Sequence, residues 1–340
     1  MLHFLVIGIG SIGERHIKNL KSLGVEVSVF DTKIDVFTPQ SGTPELTPQL
    51  SKLERLVQEY DVHYQDPSNH HTEFDAFIIC TPPAYHINYA VEGIKHNTNL
   101  FIEKPISNRL EQRLDWVINT AEEKGLVIQI GYQLRFHSGL KLIKNYIEMN
   151  KIGKILNIRA EFGQYLPNWR PNQDYRESYT GKKSEGGGII LESSHEIDYV
   201  GWLSNSEVSQ ISCFCGKQSS LDIDTEDTAE INLRFEDGVI GNIHVDMTQK
   251  GYTRWCKVTG TDGTLFWDYN SPELTRISSH GNRLPVIYKH EDPYLEEMKH
   301  FIACIENKTQ PMVDATVGKK VLEIALAAKK SSEEGRVIEL

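Results

Sequence analysis

The chain has 340 residues, and this length predicts about two domains. Its net charge of −11 and the absence of a basic stripe argue against nucleic acid and anionic membrane as partners. No apolar run approaches the roughly 18 residues that a membrane-spanning helix needs, and the apolar fraction of 39% is that of an ordinary globular protein.

The start of the chain and the cysteines predict a cytoplasmic protein. Residues 1–7 carry no basic segment and lead straight into glycines, so we predict no signal peptide. The five cysteines are odd in number and scattered, which predicts reduced packing residues. Cys213 and Cys215 have the wrong spacing for a CxxC site, and no metal site is predicted.

The first 31 residues are typical of a dinucleotide-binding unit. A strand over 2–7 leads into Gly-Ile-Gly-Ser-Ile-Gly at 8–13, and a helix ending near Gly24 and a second strand over 25–30 follow. Glycines at this place let the backbone approach a pyrophosphate, and the helix amino terminus supplies its dipole. The predicted contacts with the cofactor here are Gly8, Gly10, Ser11, Ile12 and Gly13.

Asp31 closes the second strand and is predicted to bind the adenosine ribose. A 2′-phosphate placed there would meet a like charge, so we predict NAD as the cofactor in preference to NADP. Lys33 opposes this prediction, because its ammonium could neutralise the phosphate, and NADP stays the alternative.

Strands and helices alternate as far as residue 130. This alternation predicts an α/β Rossmann domain over residues 1–130, built on a doubly wound parallel sheet. Its further predicted elements are a loop over 38–51, helices over 53–60, 84–96 and 107–124, and strands over 75–80, 99–102 and 126–130.

Two strand ends carry candidate site residues. Glu103-Lys104-Pro105 follows a buried strand, and ligands lie beyond the carboxyl ends of strands in such sheets. The Lys104 ammonium could therefore hydrogen-bond a substrate hydroxyl and stabilise a developing alkoxide. The alternative is a surface turn before a helix that Ser107 caps. Thr81 and Pro82 end their strand on the same edge and are predicted, with Glu103, to contact the cofactor.

After residue 130 strands dominate, which predicts a second domain over 131–340. We predict an α+β domain with a large, mostly antiparallel open sheet for substrate binding and oligomerisation. A sheet face without helices is often buried against another subunit, so a homodimer or homotetramer is expected. The predicted elements are helices over 140–149, 295–305 and 317–328, a strand over 155–163, and hairpins over 230–245 and 255–269.

The loop over 165–176 is unusually aromatic and basic. Rings suit the apolar faces of sugars, and arginines suit anionic groups, so this loop is a candidate binding site for a carbohydrate. The alternative is a loop that packs on its own domain. The predicted substrate-binding residues are Arg135, Tyr165, Trp169, Arg170 and Arg176.

A glycine-led segment contains the last candidate, His195. The sequence His195-Glu196 begins like the zinc motif HExxH, but Tyr199 stands where the second histidine would be, which excludes that motif. His195 is then either a structural histidine or a general base whose tautomer Asp198 or Glu192 fixes.

Three motifs in this order resemble the Gfo/Idh/MocA family of oxidoreductases: GxGxxG, Glu103-Lys104-Pro105, and a glycine-led segment that ends in His-x-x-Asp. The resemblance covers nearly the whole chain. It implies a Rossmann domain, a second domain whose open sheet makes dimers or tetramers, and Lys104 and His195 flanking the reacting carbon. It also implies a cis Lys104–Pro105 bond, because this bond is often cis in the family.

One position departs from the pattern of that family. Many members have an aspartate four residues before the histidine, where this chain has Leu191, and Glu192 lies three residues before it. The sequence therefore leaves Asp198 and Glu192 as alternatives for the acid that assists His195.

These observations predict NAD(P)-dependent oxidation of a secondary alcohol on a sugar, sugar nucleotide or cyclitol, or the reverse reaction. His195 would take the hydroxyl proton and Lys104 would hydrogen-bond the same oxygen. The alternatives are a reductase of another substrate class on the same scaffold and a non-catalytic dinucleotide sensor. A sensor needs neither Lys104 nor His195, which argues against it.

Overall fold

The structure, a computed structural model, describes residues 1–34, 48–68, 73–171 and 173–340. The described chain divides into two compact units. The first unit contains Met1–Ser107, Glu111–Gly131 and Tyr294–Thr316, and the second contains Asn108–Leu110, Tyr132–Pro293 and Val317–Leu340.

A parallel sheet organises the first unit. Its strands are β1 (His3–Ile7), β2 (Glu26–Phe30), β3 (His63–Tyr64), β4 (Ala76–Ile79), β5 (Asn99–Glu103) and β6 (Ile128–Gly131). They lie in the order β3-β2-β1-β4-β5-β6, and each neighbouring pair among the described strands is parallel. The strand order reverses at β1, so the predicted doubly wound Rossmann fold is confirmed.

Within the described ranges, four α-helices connect these strands, and two of the predicted boundaries were wrong. The helices are α1 (Ser11–Ser22), α2 (Pro48–Tyr60), α3 (His86–Lys95) and α4 (Gln112–Lys124). The predicted loop over 38–51 lies outside the described residues up to 47, and its last four residues belong to α2. Helix α4 begins five residues after Ser107, which is buried in the preceding turn, so Ser107 does not cap it.

A mixed sheet organises the second unit. Its strands are β7 (Ile155–Gly163), β8 (Val208–Gly216), β9 (Thr228–Phe235), β10 (Ile240–Asp246), β11 (Thr253–Gly260), β12 (Gly263–Asp268), β13 (Glu273–Ser278), β14 (Arg283–Ile287) and β15 (Ile338–Glu339). Their order is β14-β13-β12-β11-β7-β10-β9-β8-β15. Within this second sheet, β7 and β10 are the one parallel pair among the described strands, so the mostly antiparallel sheet is confirmed.

The two faces of this sheet differ in burial. Helices α5 (Ser138–Glu148), α6 (Ile189–Glu192) and α7 (Ser194–Ser204) belong to the same unit, and α7 packs against β7 and β10. Side chains on alternate positions of β7, such as Ile158 and Ala160, are buried. The opposite face is partly exposed, and Phe214 on β8 keeps 81% of its surface accessible.

Helix α8 (Pro293–Asn307) belongs almost entirely to the first unit. Its residues Met298, Phe301 and Cys304 are buried in the core formed by β1, β2, β4 and the surrounding helices. The predicted domain boundary at residue 130 placed this helix in the second domain. An apolar stripe shows that one face of a helix is buried, but it does not show which sheet that face covers. The last helix, α9 (Ala315–Glu334), continues into the second unit.

All five cysteines are free thiols. Burial raises the pKa of the Cys80 and Cys256 thiols, which suits packing residues. A hydrogen bond from Cys213 lowers the pKa of Cys215 to about 7. Within the described ranges, no helix is both long and apolar enough to cross a membrane. The same part of the chain contains no group of three or more His, Cys, Asp or Glu residues that could hold a metal ion.

Candidate active site

The turn between β1 and α1 has the shape that a dinucleotide needs. A Cβ on Gly13 would lie 2.0 Å from the Gly8 carbonyl oxygen, and Gly8 has a φ of +91°, so glycine is required at both positions. A Cβ on Gly10 would meet nothing within 4 Å, so the turn leaves open space above it. No side chain caps α1, whose first amides belong to Ser11, Ile12 and Gly13. This arrangement fits a pyrophosphate at the helix amino terminus.

Asp31 lies directly after β2, where the ribose-binding acid was predicted. Its Oδ2 accepts a hydrogen bond from the Ile9 amide at 3.0 Å, and its Oδ1 accepts one from the Lys33 amide at 2.9 Å. These bonds fix the carboxylate beside the glycine turn. A carboxylate has about four acceptor positions, so Asp31 keeps the capacity to bind ribose hydroxyls.

The ends of β4 and β5 are joined through His86. Its Nε2 lies 2.7 Å from the Thr81 carbonyl oxygen, and its Nδ1 lies 2.9 Å from the Pro105 carbonyl oxygen. Burial lowers the pKa of His86, and the two carbonyl oxygens oppose this effect because each can only accept a hydrogen bond from the ring. The Lys104–Pro105 bond is cis, as the family resemblance implied.

Glu103 links the glycine helix to the turn that carries Lys104. Its Oε1 lies 2.7 Å from Nε2 of the buried His16 on α1, and its Oε2 accepts the Lys104 amide at 3.2 Å. A Cβ on Gly131 would lie 3.1 Å from the Glu103 carboxyl group, so glycine makes room for it. Sequence reasoning assigned Glu103 to the cofactor and missed His16, although His16 lies on the apolar face of the predicted helix.

In the second unit, His195 lies in the first turn of α7 and is 5% exposed. Ser193 separates α6 from α7 with non-helical backbone angles, and α7 begins at Ser194, one residue before His195. The ring of the buried Tyr132 meets the imidazole edge-on at a centroid distance of 5.5 Å, and its hydroxyl donates to Ser194 Oγ at 3.2 Å. These contacts restrict the orientation of the imidazole.

Arg135 and Asp198, predicted as a substrate-binding and a catalytic residue, bind each other. Nε of Arg135 donates to the two carboxylate oxygens at 3.1 and 3.0 Å, and Nη2 donates to Oδ1 at 2.7 Å. Burial raises the pKa of Asp198, and the Arg135 cation offsets part of that rise. Both oxygens of Asp198 therefore bind Arg135, and Glu192 stays the other candidate for the acid that assists His195.

A second buried ion pair joins α7 to the sheet. Nε of Arg254 on β11 donates to Oε1 of Glu196 at 2.9 Å, and Glu196 is fully buried. The Arg254 guanidinium also lies 4.3 Å from the centroid of the Phe162 ring. The charge of Glu196 helps to raise the pKa of Arg254 despite its burial. Glu196 and Asp198 flank Ile197, so the two pairs restrain the helix turn that carries His195 from different sides.

The predicted acid Glu192 ends α6 and is half-buried. Its Oε1 accepts a hydrogen bond from the hydroxyl of Thr180 at 2.8 Å. Arg170, predicted to bind substrate, donates from Nη1 to Ser178 Oγ at 2.8 Å. The structure therefore connects Glu192 and Arg170 to neighbouring hydroxyl groups of the same unit.

The other predicted substrate residues also have partners within the second unit. Tyr165 lies under the Lys250 ammonium, 3.0 Å from its ring centroid, and Trp169 donates from its indole to the Gln164 carbonyl at 2.9 Å. Arg176 is exposed and paired with the neighbouring Asp174 at 2.6 Å. These contacts favour the alternative in which this loop packs on its own domain.

Family comparison assigns both halves of the chain. Residues 2–132 match the model of the oxidoreductase family with an NAD-binding Rossmann fold, and residues 140–266 match the GFO/IDH/MocA C-terminal domain. The chain belongs to the Gfo/Idh/MocA family of oxidoreductases. Its first unit is the NAD-binding domain of that family, as the GxGxxG turn and Asp31 predicted.

Relatives of this Gfo/Idh/MocA protein are similar to it along nearly their whole length. Myo-inositol 2-dehydrogenase of Thermotoga maritima is 28% identical, over 98% of this chain and 97% of the relative. The NAD-dependent scyllo-inositol 2-dehydrogenase of Bacillus subtilis is 26% identical, over 98% and 95%. The structure of levoglucosan dehydrogenase in complex with NADH superimposes with a TM-score of 0.83 at 18% identity, over 99% of this chain and 98% of that chain, which shows the shared fold.

Proposed function

We propose that this oxidoreductase uses NAD to oxidise a secondary alcohol of a cyclitol or a related sugar, or catalyses the reverse reduction. The observation that carries this proposal is the similarity to two inositol 2-dehydrogenases over 98% of the chain. The presence of Lys104 directly after β5 and of His195 in the first turn of α7 supports it, because a dinucleotide sensor requires neither.

In the proposed mechanism, His195 is the general base. It takes the proton of the substrate hydroxyl, and Lys104 donates a hydrogen bond to the same oxygen as negative charge develops there. When bound, the nicotinamide supplies hydride acceptance. Gly8, Gly10, Gly13 and Asp31 would hold the dinucleotide, since the glycine turn leaves space for it and Asp31 is fixed beside the turn.

We propose Glu192 as the acid that stabilises His195 after it has taken the proton. The pairing of Asp198 with Arg135 supports this choice, because a carboxylate bound by a guanidinium is a weaker partner for an imidazolium. Asp198 then has the separate task of anchoring α7.

We also propose that the protein is a homodimer or homotetramer assembled through the partly exposed face of the second sheet. The exposed Phe214 and the half-buried Trp255 and Phe266 on this face support the proposal, because apolar side chains of this size often lie in interfaces. Analytical ultracentrifugation should give two or four times the chain mass. A monomer at micromolar concentration contradicts the proposal.

The free thiols support a cytoplasmic location. None of the five cysteines forms a disulfide, and reduced cysteines are typical of the cytosol. Fluorescence microscopy of a tagged chain, compared with a secreted control, tests this part of the proposal.

The activity is tested with a panel of cyclitols, aldoses and nucleotide sugars. Each is mixed with enzyme and NAD or NADP, and the absorbance of the reduced nicotinamide is followed. We expect turnover of at least one inositol or related sugar with NAD. Cofactor binding without turnover of any alcohol would support a sensor instead.

A further inference from the structure

Four residues of the second unit form a continuous chain of side-chain hydrogen bonds, which we call the relay. Arg170 Nη1 donates to Ser178 Oγ at 2.8 Å, Ser178 donates to Thr180 Oγ1 at 3.1 Å, and Thr180 donates to Glu192 Oε1 at 2.8 Å. Ser178 and Thr180 are 5% and 0% exposed. The relay therefore connects a cation to the candidate acid through two buried hydroxyl groups.

The direction of the relay follows from the number of protons and lone pairs. Ser178 Oγ accepts from Arg170 and also from the Thr180 amide at 3.3 Å, which uses both of its lone pairs. The Ser178 proton must then go to Thr180, and the Thr180 proton goes to Glu192. Glu192 is consequently an acceptor at the end of a chain polarised by a guanidinium, which favours its ionised form.

The glycine run before α6 explains how Thr180 reaches this place. A Cβ on Gly187 would lie 2.3 Å from the Thr180 carbonyl oxygen, so only glycine permits the close approach. The Gly188 amide donates to the same carbonyl at 2.9 Å, and Gly188 has a φ of +106°. The backbone thus fixes Thr180 beside α6, and its hydroxyl is directed to Glu192.

We infer that Ser178 and Thr180 are positioning residues for Glu192, and that Arg170 acts on the reaction through the relay without touching the substrate. The inference rests on the proposed function, in which Glu192 assists His195. An intact relay keeps Glu192 ionised and correctly placed as the pH falls. A broken relay lets Glu192 take a proton at higher pH and leaves the His195 imidazolium less stabilised.

The kinetic test compares Thr180→Val, which keeps the shape and removes the hydroxyl, with Thr180→Ser, which keeps the hydroxyl. We expect Thr180→Val to lower kcat about tenfold, to leave KM within about twofold, and to move the acidic limb of kcat/KM to lower pH by about one unit, because a less stabilised His195 imidazolium loses its proton more readily. Thr180→Ser should stay within about twofold of the wild type. Equal kinetics for Thr180→Val and the wild type would overturn the inference.

Substitution of Arg170 distinguishes a role through the relay from direct binding of the substrate. Arg170→Met should lower kcat in the same manner as Thr180→Val, and the double variant should show little further loss because one relay is cut twice. An increase in KM at unchanged kcat, or losses that multiply in the double variant, would show that Arg170 contacts the substrate and would overturn the inference.

Thermal unfolding tests the relay without turnover. A hydrogen bond to an ionised carboxylate stabilises the fold at neutral pH, and this contribution is lost as the carboxylate takes a proton. The difference in Tm between Thr180→Ser and Thr180→Val should therefore be largest near pH 8 and shrink toward pH 4. A difference that does not depend on pH contradicts the relay. If the wild type turns over no substrate while the difference shrinks as expected, the proposed function fails and the relay stands.

Discussion

The guanidinium of Arg135 binds the carboxylate of Asp198 across 63 residues of sequence, with Nη2 2.7 Å from Oδ1 and both side chains buried. Each of these residues has a sequence signature that suggests a direct part in chemistry. Their pairing gives both a task inside the protein, which is to fix the turn of α7 that carries His195.

Substitutions of the two candidate acids should therefore have different effects on stability and on turnover. Asp198→Asn leaves a buried cation poorly paired, and we expect it to lower the free energy of unfolding by about 3–5 kcal/mol. Glu192→Gln should lower kcat at least about tenfold and change stability by less than about 1 kcal/mol. Urea denaturation and steady-state kinetics of both variants check this. The reverse pattern would make Asp198 the acid that assists His195.

Lys104 should matter for turnover and not for cofactor binding. Lys104→Ala removes the donor proposed to stabilise the developing alkoxide, so kcat should fall about 10²-fold or more. The Kd for NADH, measured by fluorescence, should stay near that of the wild type. Lys95→Ala is the matched control, because Lys95 is an exposed helix residue whose ammonium pairs with Glu92. Wild-type turnover in Lys104→Ala would show that Lys104 is a surface lysine with no part in the reaction.

His137 should make the stability depend on pH. Burial lowers its pKa from 6.5 to about 4, and the neighbouring His290 and Arg254 add to the effect. Between these values the unfolded chain binds more protons, so the free energy of unfolding falls as the pH is lowered, by up to about 3 kcal/mol.

The His137→Asn variant isolates this contribution. His137 Nδ1 caps α5 by accepting the Gly139 amide, and asparagine is also a good cap. Denaturation of this variant at pH 7 and pH 5 should show a smaller loss on acidification than the wild type. Equal losses would show that His137 is not the titrating group.

Asp31 should set the preference for NAD. A 2′-phosphate would approach a carboxylate that is fixed by the Ile9 and Lys33 amides, and even a third of the repulsion between unit charges at about 4 Å corresponds to about tenfold in affinity. The kcat/KM for NAD and NADP should favour NAD in the wild type and shift toward NADP in Asp31→Ala. A wild-type preference for NADP would contradict the assignment.

The sequence predicted those parts of the fold that depend on local patterns. The GxGxxG turn, the strand before it and Asp31 lie within 31 residues, so their spacing alone indicates a dinucleotide site. Lys104 was predicted as a site residue because two charged residues and a proline follow a buried strand. The sheet class of the second unit followed from the alternating apolar residues over 155–163 and from the two hairpin signals.

The parts that were missed depend on distant contacts. His16 meets Glu103 over 87 residues, and Arg254 meets Glu196 over 58, and no periodicity shows which charges will be paired in the folded protein. Helix α8 has an ordinary apolar stripe, which shows that Met298 and Phe301 are buried but not that they join the first unit. The contacts of Arg170 likewise follow from the folded loop, where Ser178 lies within reach.

The measurement that tests the central proposal most directly is the pH dependence of kcat/KM for inositol oxidation with NAD by the wild type and by His195→Ala. The account predicts that the wild type forms NADH with an acidic limb in its pH profile. His195→Ala should lose about 10²-fold or more in turnover together with that limb, because a general base contributes roughly 10²–10⁴-fold. A His195→Ala enzyme with wild-type turnover and an unchanged profile would contradict the account.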